Sequence, residues 1–109
     1  MEQSQWQRLH KAIATVAMRT AMWDTPFITN DDFNGLTYGQ LRDLVPVYRE
    51  AYGGLRRLYT TLREIQVCGI LTLAQTAQAH ATCECIVRCM AIISDKSRII
   101  TECQMRKAG

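Results

Sequence analysis

Punctuation residues are scarce in this chain of 109: it has two prolines and six glycines. A fold of many short strands needs turn residues roughly every 8–12 positions, so this scarcity disfavours one. No segment shows sustained strand alternation either. Histidine is as scarce as proline, with His10 and His80 alone. There is no glycine-rich phosphate loop, because Gly53-Gly54 lies inside a helical pattern and no Lys-Ser or Lys-Thr follows it. His80 and Cys83 are close enough to pair, but no third residue is placed to orient them. The expectation is a protein that is not an enzyme, with no catalytic residue and no cofactor. A long uninterrupted apolar run is also missing. The most apolar stretch, 67–94, contains Gln75, Gln78, His80, Glu84 and Arg88, which makes a core helix a better reading than a membrane span. Charge of one sign is not in large excess: 13 Lys and Arg face 10 Asp and Glu, for a net +3. That permits contact with nucleic acid without demanding it.

What is present is helical patterning. Hydrophobic residues make up 48% and charged residues 21%, which excludes disorder and fits one globular domain over 1–109. Trp6, Leu9, Ile13, Val16, Thr20 and Trp23 recur at steps of three and four, so 3–23 reads as a helix ended by Asp24-Thr25-Pro26. Residues 24–36 read as a loop pinned by Phe27, Ile28 and Phe33. Thr37 and Gln40 fit a capping box that opens the next helix. From there Leu41, Leu44, Tyr48, Ala51, Leu55, Leu58, Leu62 and Ile65 form an a/d repeat over nearly four heptads. Pro46 and Gly53-Gly54 interrupt it, so a short helix 37–45 and a longer one 47–66 are expected. Cys68-Gly69 marks a break. Residues 70–93 are expected to form the most buried helix, with Ala74, Ala77, Ala81, Cys85 and Ile92 on one small-residue face. His80, Glu84 and Arg88 stand as a charge ladder on another. Ser94-Asp95 is placed to cap a last helix, 96–106. The fold class is all-α, a compact bundle of four to five helices. Such helices leave apolar surface that a helix-mediated homodimer would cover, with Leu41, Tyr48, Leu55 and Leu62 as interface candidates.

Cationic excess lies in two places. Residues 37–66 hold five cations against three anions, and 95–109 hold four against two. In the first segment Arg42, Arg49, Arg56 and Arg63 are seven apart and share one heptad position beside the seam. On a continuous helix at ~1.5 Å per residue the row spans roughly 31 Å, long enough to track a phosphate backbone. Arginine suits that task because its fork donates paired bonds to phosphate. Arg57 adds a fifth cation, and Arg98, Arg106 and Lys107 a second group. Asp43, Glu50 and Glu64 adjoin members of the row, so a solvated helix flank explains it as well. Tyr52 and Tyr59 lie beside the seam, where aromatics serve as packing anchors or base-stacking surfaces.

Two further clusters carry less. His80, Cys83, Cys85 and Cys89 are zinc-ligand types, but on a straight helix the two pairs lie on nearly opposite faces, so core thiols are favoured and no metal is assigned. Asn30, Asp32, Asn34 and Gly35 match part of a calcium loop, but its twelfth position would be Leu41 where a glutamate is needed. The five cysteines are odd in number, and no basic-then-apolar leader opens the chain. An intracellular, reducing compartment is therefore expected.

The plan of two long helices, an arginine row and a basic end is similar to that of the small all-helical silencing suppressors of some insect viruses. That resemblance implies a viral helical dimer laying basic residues along double-stranded RNA, and it transfers no individual residue. Two readings follow. One is a nucleic-acid-binding regulatory protein using Arg42, Arg49, Arg56, Arg57 and Arg63. The other is a protein-interaction module or adaptor that docks a partner helix on an apolar face. They differ in whether the arginines stand free of Asp43, Glu50 and Glu64.

Overall fold

The Gln40 backbone N–H donates to the Thr37 hydroxyl at 3.2 Å, and the Thr37 N–H donates to the Gln40 side chain at 2.9 Å. This is the expected capping box, and it satisfies donors that a helix start leaves unpaired. Thr72 and Gln75 exchange the same two bonds, at 3.0 and 3.2 Å, where a second long helix begins. The structure, a computed structural model, describes residues 1–20 and 30–108. Among the described residues every regular element is helical: α1 (Gln3–Arg19), α2 (Asn30–Asn34), α3 (Tyr38–Val67) and α4 (Leu73–Ala108). Gly69 breaks the chain between α3 and α4 with φ at +72°, a conformation that disfavours residues carrying a Cβ.

α3 and α4 pack as an antiparallel hairpin. Leu41, Tyr48, Ala51, Leu55 and Leu62 are buried on α3, with Leu44 and Leu58 packed at the margin. α4 answers with Ala79, Ile86, Ile93 and Ile100, spaced by seven, together with Cys83 and Cys103. α1 lies beside the lower half of the hairpin, parallel to α4. The pairs Gln3–Gln75, Trp6–Gln78 and His10–Thr82 keep a constant separation of 72 residues, which only a parallel arrangement gives. α2 packs at the other end. Its Phe33 is buried edge-on to Tyr48 at 6.4 Å, and Lys96 lies 5.8 Å from the Phe33 ring centre. The Asn34 carbonyl accepts from Lys107 at 3.1 Å, and the Asn34 side chain accepts from Arg106 at 3.3 Å.

Several expectations change. The molecule measures 56 × 20 × 18 Å, an elongated rod rather than a compact bundle. Pro46 lies inside an unbroken α3. It is exposed, so the carbonyl left without its donor can take water, and the leucine seam holds both halves of the helix against α4. Ser94-Asp95 starts no new helix either. Asp95 pairs with Arg98 inside α4, and the Ile93–Ile100 step keeps the seven-residue seam running through. The face expected to pack, Ala74, Ala77, Ala81, Cys85 and Ile92, is exposed. The isoleucine face is buried instead, because burying isoleucine removes more apolar area than burying alanine. In α1 the buried residues are Trp6, Ile13 and Ala17, with Thr20 just past its end also buried, whereas Val16 is exposed. Trp23, Phe27, Ile28 and the Asp24-Thr25-Pro26 stop lie outside the described residues, and residues 30–34, expected in the loop, form α2. Leu41, Tyr48, Leu55 and Leu62, expected between two copies, are each fully buried within one chain and have no surface left for a partner.

Candidate nucleic-acid interface

The hairpin has two long flanks, and the α1 side is largely covered. Gln75, only 1% exposed, caps α4 and also donates from its side chain to the Met1 carbonyl at 3.0 Å and to Gln3 at 2.9 Å. The Trp6 indole donates to Gln78 at 2.6 Å and stacks on His10 at 5.1 Å between ring centres. His10 and Thr82 are in contact at 2.7 Å.

The opposite flank is open, and the arginine row stands along its α3 edge. Because α3 is continuous, Arg42, Arg49, Arg56 and Arg63 run along one stripe of it, all exposed. Arg42 approaches Asp43 at 3.5 Å. Arg63 donates to the Gln66 side chain at 3.3 Å. Among the described residues Arg49, Arg56 and Arg63 form no ion pair, and neither Glu50 nor Glu64 reaches them. Tyr52 and Tyr59 interleave with these arginines at helical spacing. Arg57 does not join the row. It is turned about 100° further round the helix and lines a hollow beside Val16 of α1 and Thr20 at its end, with Glu50 in the same hollow.

The α4 edge is different in kind. Glu84 lies 3.1 Å from His80 and 3.9 Å from Arg88, the ladder expected from their spacing. Arg98 is held between Asp95 and Glu102, each at 2.8 Å, and these two bonds, Asp95 first, push its guanidinium further up. Charges on this edge are therefore largely neutralised by one another. On this flank the positive excess belongs to α3.

Two hollows lie between the edges. The upper one, about 400 Å³, is lined by Tyr48, Arg49, Tyr52, Ser94, Ser97 and Thr101, among others. The lower one includes Tyr59, Arg63, His80, Cys83, Glu84 and Arg88. Burial pushes the Cys83 thiol up, partly offset by the nearby Arg63. Burial also raises the Cys89 thiol, and the adjacent Cys85 adds to it. Cys83 is buried while Cys85 is exposed on the far side of α4, so the His80–Cys89 set does not converge. Among the described residues no three His, Cys, Asp or Glu side chains gather around one point. In the calcium-like segment, the Asn34 side chain is engaged by Cys103 and Arg106. Arg106 and Lys107 therefore hold α2 and stand apart from the row. No helix among the described residues is long and apolar enough to cross a membrane.

Sequence reasoning missed Gln75 and the hydroxyl set Ser94, Ser97 and Thr101. The second was visible as polar residues at i, i+3 and i+7, had α4 been taken as continuous through Ser94. Compared with known proteins, the chain matches no family model, no curated protein and no solved structure.

Proposed function

We propose that this is a small non-enzymatic regulatory protein that binds duplex nucleic acid, with double-stranded RNA as the favoured class, in the manner of a silencing suppressor. One observation carries the reading: on an unbroken α3, Arg49, Arg56 and Arg63 line an uncovered flank with no carboxylate partner among the described residues. These three span roughly 21 Å at fixed spacing, which suits a regular phosphate backbone. A-form duplexes are recognised mainly through shape and backbone, which fits cations at regular intervals without a base-reading motif.

The test is a titration against labelled duplex RNA, duplex DNA and single-stranded RNA at about 50 and about 200 mM salt. Three to four phosphate contacts predict a weakening of roughly 40- to 150-fold over that range. Replacing Arg49 and Arg56 by Glu should weaken binding about 100-fold. Absence of binding to any nucleic acid at the lower salt rejects the reading.

A second reading draws on the exposed Ala74, Ala77, Ala81, Cys85 and Ile92 face of α4. Residues 65–83 contain no Asp, Glu, Lys or Arg, so the lower part of this face offers small neutral side chains to a helix. A partner protein would dock there as an apolar helix, and a homodimer would use the same face now that the leucine seam is filled. Ala81→Glu would then dissociate the complex in light scattering and leave the monomer folded.

A further inference from the structure

The two edges of the upper hollow differ in a way that bears on which nucleic acid it takes. Arg49 on α3 has no carboxylate partner among the described residues. Across from it stand Ser94, Ser97 and Thr101, on one stripe of α4. The Thr101 hydroxyl donates its hydrogen to the Ser97 carbonyl at 3.0 Å. Its oxygen lone pairs are thereby left to accept from outside. Among the described residues the Ser94, Ser97 and Tyr52 hydroxyls have no partner, and Tyr52 is 36% exposed. Asp95 and Glu102 flank this edge and are tied to Arg98. Arg98 lines the hollow with Glu102 but is spoken for by these two carboxylates, so the α4 side offers a phosphate no unpaired cation. The groups it leaves open are neutral hydroxyls, which suit a neutral group able both to donate and to accept hydrogen bonds.

A ribose edge meets both conditions. Its 2′-hydroxyl donates and accepts, it carries no charge, and in an A-form duplex it is displayed on the wide, shallow minor groove. Deoxyribose has only C–H at that position. We propose that the hollow formed by Tyr52, Ser94, Ser97 and Thr101 is a ribose-recognition site, which holds the 2′-hydroxyl of the sugar next to a phosphate bound by Arg49 and so makes the arginine row selective for RNA over DNA. This inference rests on the nucleic-acid reading above and adds the feature that discriminates between the two polymers.

The experiment measures dissociation constants by fluorescence anisotropy at about 100 mM salt for one duplex sequence made as RNA, as DNA and as 2′-O-methyl RNA. The methylated duplex keeps the A-form and loses the donor. The native chain is compared with the triple variant Ser94→Ala, Ser97→Ala, Thr101→Val, with Tyr52→Phe, and with Arg49→Glu. Circular dichroism confirms that each is folded. The native chain should prefer RNA over both other duplexes by about tenfold or more, the scale of one or two hydrogen bonds. The triple variant should lose about that factor on RNA and little on DNA, and Tyr52→Phe should lose a smaller part. Arg49→Glu should weaken all three duplexes together. The inference is overturned if the triple variant keeps the native RNA preference, or if methylated RNA binds as tightly as RNA. Either result with Arg49→Glu still weakening binding leaves the phosphate row standing. Failure of the native chain to bind any duplex removes the row and the ribose site together. Should the triple variant prove unfolded, the methylated duplex on the native chain decides alone.

Discussion

On one flank of α4 stand Gln75, Gln78 and Thr82, and α1 is bonded onto them. On the other stand His80, Glu84, Arg88, Arg98 and Glu102, and no described helix covers them. Both flanks border the same isoleucine seam, so apolar content does not separate them. The difference is the cost of drying each one. Amides and hydroxyls can trade water for reciprocal protein bonds at little net loss, whereas charges lose more hydration than a packed neighbour returns. Neutral polarity marks the flank that folds shut, and charge marks the flank that stays available to a ligand.

The largest perturbation should come from the covered side. Trp6→Ala removes a fully buried indole and its bond to Gln78, and should cost about 3–5 kcal/mol in urea unfolding. Tyr52→Ala on the open side should cost about 1 kcal/mol or less. Comparable losses at both positions would break the distinction between the flanks. Binding should separate them in the opposite sense. Arg49→Glu combined with Arg56→Glu should weaken duplex affinity about 100-fold, by roughly 1.4 kcal/mol per decade. Arg57→Glu, turned toward α1, should change affinity less than about threefold at the same salt. Gly53→Ala sharpens the comparison from within α3. Among the described residues its new Cβ would meet only the Arg57 guanidinium, at 3.7 Å. It should therefore raise stability by about 0.5–1 kcal/mol without loss of binding, as paired melting and anisotropy measurements would show.

The smallest effect concerns pH. Burial holds the Cys83 and Cys89 thiols protonated to higher pH than an ordinary thiol. Their contribution to stability is complete below the ordinary thiol range and falls as pH climbs through it toward the raised values. Urea midpoints should fall between about pH 7 and about pH 10, and Cys83→Ala with Cys89→Ala should lessen that fall.

Local signals in the sequence were reliable where they act over one turn. The Thr37–Gln40 box, the Gly69 break and the His80–Glu84–Arg88 ladder are all found. The α3 seam was legible because an apolar residue at every a/d step, mostly leucine, admits one register. Continuity was not legible. Pro46 and Ser94-Asp95 are breakers on local propensity, and only the partner helix, invisible in a local window, overrides them. The buried face of α4 was misjudged for a related reason. Its alanine and isoleucine stripes have similar periodicity, and the choice between them falls to α3. The four-arginine row was legible as spacing, while the displacement of Arg57 required knowing where α1 lies.

The fixed offset of 72 residues between α1 and its partners also sets an order of events. The hairpin can close outward from its turn, since Gln66 and Cys83 are only 17 residues apart, and short closures come first. Trp6 cannot find Gln78 until 72 more residues exist. At roughly 5–20 residues per second on a ribosome that is a wait of roughly 4–14 s. During synthesis the tryptophan remains without its native partner until α4 is under way, and α2, whose partners Arg106 and Lys107 follow later still, is seated after α1.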